Sequence, residues 1–171
     1  LRHNVVVRVL QRRADRVAGA DRYETAVAVA RSARPEWADV SHVVVTSGED
    51  RAFADPLAAA SLCWAYDAPL LLVTSNEVPA VVKTALEEIR SANTTVTVTV
   101  VGGPVAVSDS TVSQLRAIFG DENVKQPWTD GDRYTTAAGI ADLVSVVASD
   151  AARVIPARAL VANGTDDLQQ Y

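Results

Sequence analysis

Short β-branched runs alternate with longer stretches of helical period along this 171-residue chain, and that alternation constrains the fold more than any other feature. It is the pattern of βαβ units in a parallel sheet. Strands are predicted near Val5 to Leu10, His42 to Thr46, Leu70 to Val73, Thr95 to Val101 and Arg158 to Ala162. The helices fall between them. Asp21 with Glu24 gives a capping signal, and Tyr23, Ala26, Val27 and Ala30 follow at i, i+3, i+4 and i+7, which predicts a helix to about Ala33. Further helices are predicted over Asp55 to Tyr66, with Pro56 in its first turn, and near Pro79 to Ser91, Asp109 to Phe119 and Asp132 to Ala148. Valine-rich strands without polar alternation suit a sheet covered on both faces. The fold class is α/β with a parallel sheet. Thr95 to Thr99 alternates Thr and Val, which predicts one wetter face on that strand.

Self-similarity refines the organisation. Gly19-Ala20-Asp21-Arg22-Tyr23-Glu24-Thr25-Ala26 returns as Asp130-Gly131-Asp132-Arg133-Tyr134-Thr135-Thr136-Ala137, offset by 111 residues. The helical faces match as well, Tyr23, Ala26, Val27 and Ala30 against Tyr134, Ala137, Ala138 and Ala141. Val44 to Asp50 returns as Leu160 to Asp166 at an offset of 116. Two blocks in the same order define a repeat. The expected organisation is a leading strand over 1–15 that continues a preceding module, one complete repeat over 16–126, and part of a second over 127–171. A partial copy cannot bury its own sheet, so either it is cut short or it completes a neighbour. The former is the expectation, and an opening Leu1-Arg2-His3-Asn4 in a chain without Met reads as an excised piece.

Composition limits the function classes. The longest apolar runs are far below the roughly 20 residues that span a bilayer, so no membrane insertion is expected. Cys63 is the single cysteine, cannot form an internal disulfide, and reads as part of a buried helix face. Residues 1–34 hold eight Arg against three acidic side chains, whereas residues 35–171 hold eight basic and eighteen acidic ones. Arg8, Arg12, Arg13, Arg16 and Arg22 could therefore form a local site for phosphate or carboxylate groups. Nucleic acid is not the expected partner, because the pI is about 5.0 and aromatic stacking platforms are missing from the pattern.

Several motifs point to chemistry, each with a plainer reading. Gly102-Gly103-Pro104 lies between a predicted strand and helix, where α/β proteins bind phosphates, but it lacks the spacing of the known glycine-rich fingerprints. Ser47-Gly48-Glu49-Asp50 follows a strand at the carboxyl edge and could line a ligand groove. Asp130 and Asp132 form a D-x-D of the kind that holds magnesium, yet Asp132 aligns with the helix cap Asp21, so no metal site is expected. His3 and His42 have no nucleophile partner in sequence, no G-x-S-x-G surrounds a serine, and no Cys/His ligand cluster exists. No cofactor and no catalytic residue is assigned. Asp21, Arg22 and Tyr23 also have a structural reading as cap, ion pair and core ring.

Four blocks in order resemble a known family. They are Arg16 to Ala26, Ala54-Asp55-Pro56-Leu57-Ala58-Ala59-Ala60, Pro69-Leu70-Leu71-Leu72-Val73, and Val100-Val101-Gly102-Gly103-Pro104 continuing to Ser108. The chain resembles the type 2 cell-wall-binding repeat of Gram-positive surface proteins. The resemblance implies a Toprim-like α/β module, usually three in tandem, that holds a secreted protein on the cell wall by binding an anionic wall polymer while another region supplies the effector activity. It implies polymer binding by Arg16, Arg22 and Arg133, and an inter-module or ligand-groove role for Leu71, Leu72 and Asp55, to which the position after the strand adds Ser47. Where a counterpart of Asp55 would fall in the second copy, the chain has Tyr171. Guanidinium suits such a polymer because it binds phosphate or carboxylate as a fork, and the chain has fourteen Arg against two Lys, a bias that a GC-rich genome would explain equally well. An α/β enzyme using the loops after the strands and a purely structural stacking module are the competing readings.

Overall fold

The computed structural model describes residues 16–150 apart from 38 and 131. The strands expected at Val5 to Leu10 and Arg158 to Ala162, with the 163–166 loop, lie outside the described residues. The observed order is α1 (Arg22–Ala33), β1 (His42–Ser47), α2 (Ala54–Tyr66), β2 (Leu70–Val73), α3 (Ala80–Ala92), β3 (Thr97–Val101), α4 (Asp109–Phe119), β4 (Val124–Lys125) and α5 (Arg133–Asp150). The strands form one sheet in the order β2-β1-β3-β4, with every pairing parallel. Val44 lies opposite Leu70 on one side and Thr99 on the other. Only β4, two residues long, has no counterpart in the sequence pattern.

Local chemistry sets the helix starts. The Asp21 carboxylate accepts from the Glu24 backbone N–H at 2.8 Å, while Glu24 reaches back to accept from the Ala20 N–H at 2.8 Å. Two orphan donors are thereby satisfied at one helix end. A Cβ on Gly19 would fall 2.3 Å from the Glu24 Cβ, so only glycine permits this close approach. At α5 the repeated Asp132 accepts from the N–H groups of Tyr134 and Thr135 at 3.0 and 2.9 Å. Those bonds, Thr135 first, hold its carboxyl below the usual carboxylate range. Asp132 is thus a cap, as the repeat implied. Among the described residues no group of three or more His, Cys, Asp or Glu is placed to hold a metal ion, and no helix is long and apolar enough to cross a membrane.

The sheet divides two cores. Val43, Val45, Leu71, Val73, Val98 and Val100 face α1, α3 and α4, which contribute Val27, Ala30, Val82, Leu86, Ile89, Leu115 and Phe119. Each fully buried large side chain there contributes about 1.5–3 kcal/mol. On the opposite face Val44 and Val101 meet Ala59 and Leu62 of α2 and Ile140 of α5. α5 therefore shares the cover of this face with α2. The wetter face expected for Thr95 to Thr99 is found at Thr95, which is exposed, and Thr97, which is partly exposed, but not at Thr99, which is 4% exposed because α2 and α5 cover that end of the face. Cys63 is half-buried beside that second core, and burial pushes its thiol up to about 12.

Candidate functional site

The sheet order fixes where a ligand would sit. From β1 the chain crosses to β2 on one side, and from β3 to β4 on the other, so the loops after β1 and β3 diverge and leave a crevice at their carboxyl ends. Ligands of open α/β sheets bind at that switch point. Here the crevice is a cavity of about 320 Å³ bounded by Arg51 and Asp55 after β1, Gly103 to Ala106 after β3, and Thr129, Asp132, Arg133 and Thr136 at the start of α5.

Its walls are braced from behind. Gly102 has φ +113°, in the region closed to other residues, and a Cβ there would lie 2.8 Å from the Asp55 carboxylate. The Gln126 side-chain amide donates to the Gly102 and Val107 carbonyls at 2.9 and 3.1 Å, and the Ala106 and Val107 N–H groups both donate to the Gly103 carbonyl. The Gly102-Gly103-Pro104 segment is thus a rigid turn pressed against Asp55. Asp55 is half-buried: desolvation raises its pKa, while Arg133 pulls it down. The Arg133 guanidinium lies 5.8 Å over the Phe53 ring, which is 43% exposed. Arg51 donates to the Glu49 carboxylate at 2.9 Å. Glu49 also accepts from the Ser75 N–H at 2.8 Å, and this bond first, then Arg51, holds its carboxyl below the usual range.

The expected site residues separate into groups. Asp55 and Arg133 line the switch-point cavity. Arg22, Ser47 and Leu72 meet in a second recess of about 370 Å³. There Arg22 donates to the Gly48 carbonyl and to Asp50 at 2.5 Å, and Ser47 Oγ, buried, accepts from the Glu49 N–H at 3.2 Å. Arg16 is exposed and lines neither recess. Leu71 is corrected: strand alternation turns it into the first core with no exposed surface, so the neighbouring Leu72 alone borders a groove. Of the arginines expected to cluster, Arg8, Arg12 and Arg13 lie outside the described residues, and Arg22 is paired with a carboxylate. Residues 16–150 carry ten basic and eighteen acidic side chains, and Arg22, Arg31, Arg34 and Arg51 are paired with Asp50, Glu88, Asp39 with Asp67, and Glu49. Sequence reasoning missed Arg51 and Phe53; an aromatic two residues beyond an Arg in the loop after β1 was the available signal.

A parallel sheet whose switch-point recess is flanked by Arg51, Asp55, Asp132 and Arg133 is the architecture of an α/β module with a candidate ligand site. The sequence matches the family model of cell wall binding domain 2 (CWB2) over residues 16–112, and the chain belongs to that family. It is a module of a secreted, cell-wall-associated protein. It is 33% identical over 126 residues to the N-acetylmuramoyl-L-alanine amidase LytC of Bacillus subtilis (strain 168), a match covering 74% of this chain and 23% of the amidase. Among solved structures it is similar to Cwp6 from Clostridium difficile, with 32% identity and a TM-score of 0.64 over 77% of this chain and 19% of that one. Cwp8 from the same organism gives 25% identity and a TM-score of 0.58 over 74% and 19%. The chain thus spans about a fifth of these relatives' length.

Proposed function

We propose that this chain anchors its parent protein by binding an anionic wall polymer, non-covalently and without catalysis, with neighbouring repeats of the same protein as its other partners. In this reading residues 16–126 are one complete Toprim-like repeat and residues 127–171 part of a second. The observation that carries it is the switch-point cavity, where Arg51 and Arg133 flank a half-buried Asp55. The guanidiniums offer forks for phosphate or carboxylate groups. Asp55 and the threonines accept and donate to sugar hydroxyls, and Phe53, which borders the neighbouring Arg22 recess, has exposed ring surface that suits a sugar. Arg22 and Arg16 meet the polymer beyond the cavity. Because Arg22 is 51% and Asp50 91% exposed, their pair is one that an incoming anion displaces easily. Single-module binding is weak, and tandem modules gain by multivalency.

LytC is an amidase matched over 23% of its length, which supports a division between an anchoring region and a region that acts. The reading invokes no cofactor, metal, nucleic acid or membrane insertion. Titration of purified wall polymer into Arg133→Ala and into the Arg16→Ala/Arg22→Ala double variant tests it, with folding checked by circular dichroism. Both are expected to bind more weakly, Arg133→Ala the more so. Unchanged affinity in both folded variants would remove the arginine-mediated mechanism.

A further inference from the structure

How an arginine is held decides whether it can take a ligand. A guanidinium donates through Nε along one side and through its two Nη groups at the end, where they form a fork. Among the described residues, arginines hydrogen-bonded to carboxylates commit that end to the protein: Arg22 gives Nη1 to Gly48 and Asp50, Arg31 gives Nη2 to Glu88, and Arg34 gives one Nη each to Asp39 and Asp67. Arg51 is held differently. Its Nε donates to Glu49 Oε2 at 2.9 Å, and no other described residue engages its Nη1 and Nη2. Arg51 lines the switch-point cavity.

The carboxylate that holds Arg51 is itself fixed at three points. The Glu49 N–H donates to Ser47 Oγ at 3.2 Å, its Oε1 accepts from the Ser75 N–H at 2.8 Å, and its carbonyl accepts from the Ala52 N–H at 2.9 Å, closing the turn Asp50–Ala52 that carries Arg51. Ser75, 5% exposed, is anchored in turn. Its carbonyl accepts from the Ser108 N–H at 2.8 Å and from the Thr111 hydroxyl at 2.9 Å. The loops after β1, β2 and β3 are thus tied together through Glu49 and Ser75. The Glu49 side chain is 28% exposed and that of Arg51 58%, so the anchor lies inside and the guanidinium at the cavity mouth. Arg133 stands otherwise, over Phe53 and opposed by the half-buried Asp55, with which a ligand must share it. Holding a long side chain in place before the ligand arrives removes an ordering cost from binding.

We propose that Arg51 is the residue that grips the anionic group in the switch-point cavity, end-on through Nη1 and Nη2, and that Glu49 is its positioning residue. The matching ligand chemistry is an anion with two oxygens on one atom, a phosphodiester or a carboxylate. The inference deepens the anionic-polymer reading above and rests on it. It gives Glu49 a signature opposite to that of a bystander. As a mere negative charge beside the cavity, Glu49 would oppose an incoming anion, and neutralising it would tighten binding. As a clamp it favours binding, and Glu49→Gln, with one carbonyl oxygen in place of two carboxylate oxygens, loosens Arg51 and weakens it.

The test is titration of the full chain with a glycerol phosphate oligomer and with an oligogalacturonate, followed by calorimetry and by the arginine Nε–H resonances in NMR. Arg51→Lys keeps the charge and loses the fork, and is expected to bind about tenfold more weakly. Glu49→Gln is expected to weaken binding about two- to tenfold. Arg31→Lys, which alters an arginine lining neither recess, is expected to bind unchanged. In Glu49→Gln without ligand, the Arg51 Nε–H resonance is expected to move to the position of unpaired arginines, a signature that a merely structural role for Glu49 would not give. Far-UV circular dichroism checks that each variant is folded. Whichever oligomer binds more tightly shows whether the anion is a phosphodiester or a carboxylate. Tighter binding by Glu49→Gln, unchanged binding by Arg51→Lys, or a parent chain in which neither oligomer shifts the Arg51 resonance would overturn the proposal. Polymer-dependent sedimentation with cell wall that persists undiminished in Arg51→Lys would overturn it and leave the anchoring reading standing, whereas a parent chain without polymer-dependent sedimentation would remove that reading.

Discussion

Replacing Gly102 by Ala probes the brace behind the cavity in two separable ways. The residue sits at φ +113°, and holding a side chain in that region costs about 1–3 kcal/mol. The new Cβ would also meet the Asp55 carboxylate at 2.8 Å and the Ala106 Cβ at 3.1 Å, and relieving such overpacking costs about 1–3 kcal/mol more. The expected loss is about 2–6 kcal/mol, which moves a urea midpoint by about 1–3 M at a slope near 2 kcal/mol/M. Gly120 is the internal control: its φ is +88°, but a Cβ there meets only the Asn123 amide, at 3.7 Å. Gly120→Ala should therefore cost the backbone share alone, about 1–3 kcal/mol. Far-UV circular dichroism during urea unfolding reads both. An Asp55→Ala background should lower the cost of Gly102→Ala toward that of Gly120→Ala, leaving above it only the share of the Ala106 Cβ contact at 3.1 Å. Equal costs for the two glycines in the parent protein would refute the placement of Asp55 against the turn.

Other perturbations have equally definite outcomes. Ile140→Ala empties a buried position between α5 and α2 and should destabilise by about 2–5 kcal/mol in chemical unfolding, while Tyr134→Ala on the exposed face of the same helix should leave stability near unchanged. Asp50→Asn releases Arg22 from its ion pair and should tighten polymer binding about two- to fivefold at low salt, with the gain fading as salt rises. Glu49, held below the usual range by the Ser75 N–H and Arg51, contributes stability that is present above its unfolded pKa and lost as pH falls through the lower folded one. Glu49→Gln should accordingly flatten the acid limb of the stability curve, and an unaltered limb would contradict the role given to it. Cys63, with its thiol pushed up to about 12, should react with iodoacetamide at pH 8 far more slowly than a free cysteine.

Much of the fold was readable because local signals agreed with one another. The Asp21 and Glu24 cap, the apolar faces of α1 to α4 and the valine runs of β1 to β3 all name the same elements. Where sequence reading went astray, a neighbour decided. Alternation in Thr95 to Thr99 reads as a half-wet strand, and Thr95 and Thr97 keep that character, but α2 and α5 cover Thr99. Leu71 and Leu72 are indistinguishable in sequence, and only the strand's register sends one inward and the other to a groove. The site was legible in part. Asp55 and Arg133 stand in recognisable blocks, but their meeting depends on α5 returning to α2, a long-range packing event. Arg51 drew no attention because its loop was read for Ser47 to Asp50, and the pairing of the arginines with carboxylates is a matter of side-chain geometry that a charge count cannot supply.

The central claim is that this module holds to the wall through an anionic polymer. Co-sedimentation of the chain with purified Gram-positive cell wall, before and after acid extraction of the anionic polymers and across a salt series, tests it most directly. The account predicts binding that falls with salt and disappears with the polymer. Binding that survives extraction undiminished would contradict it.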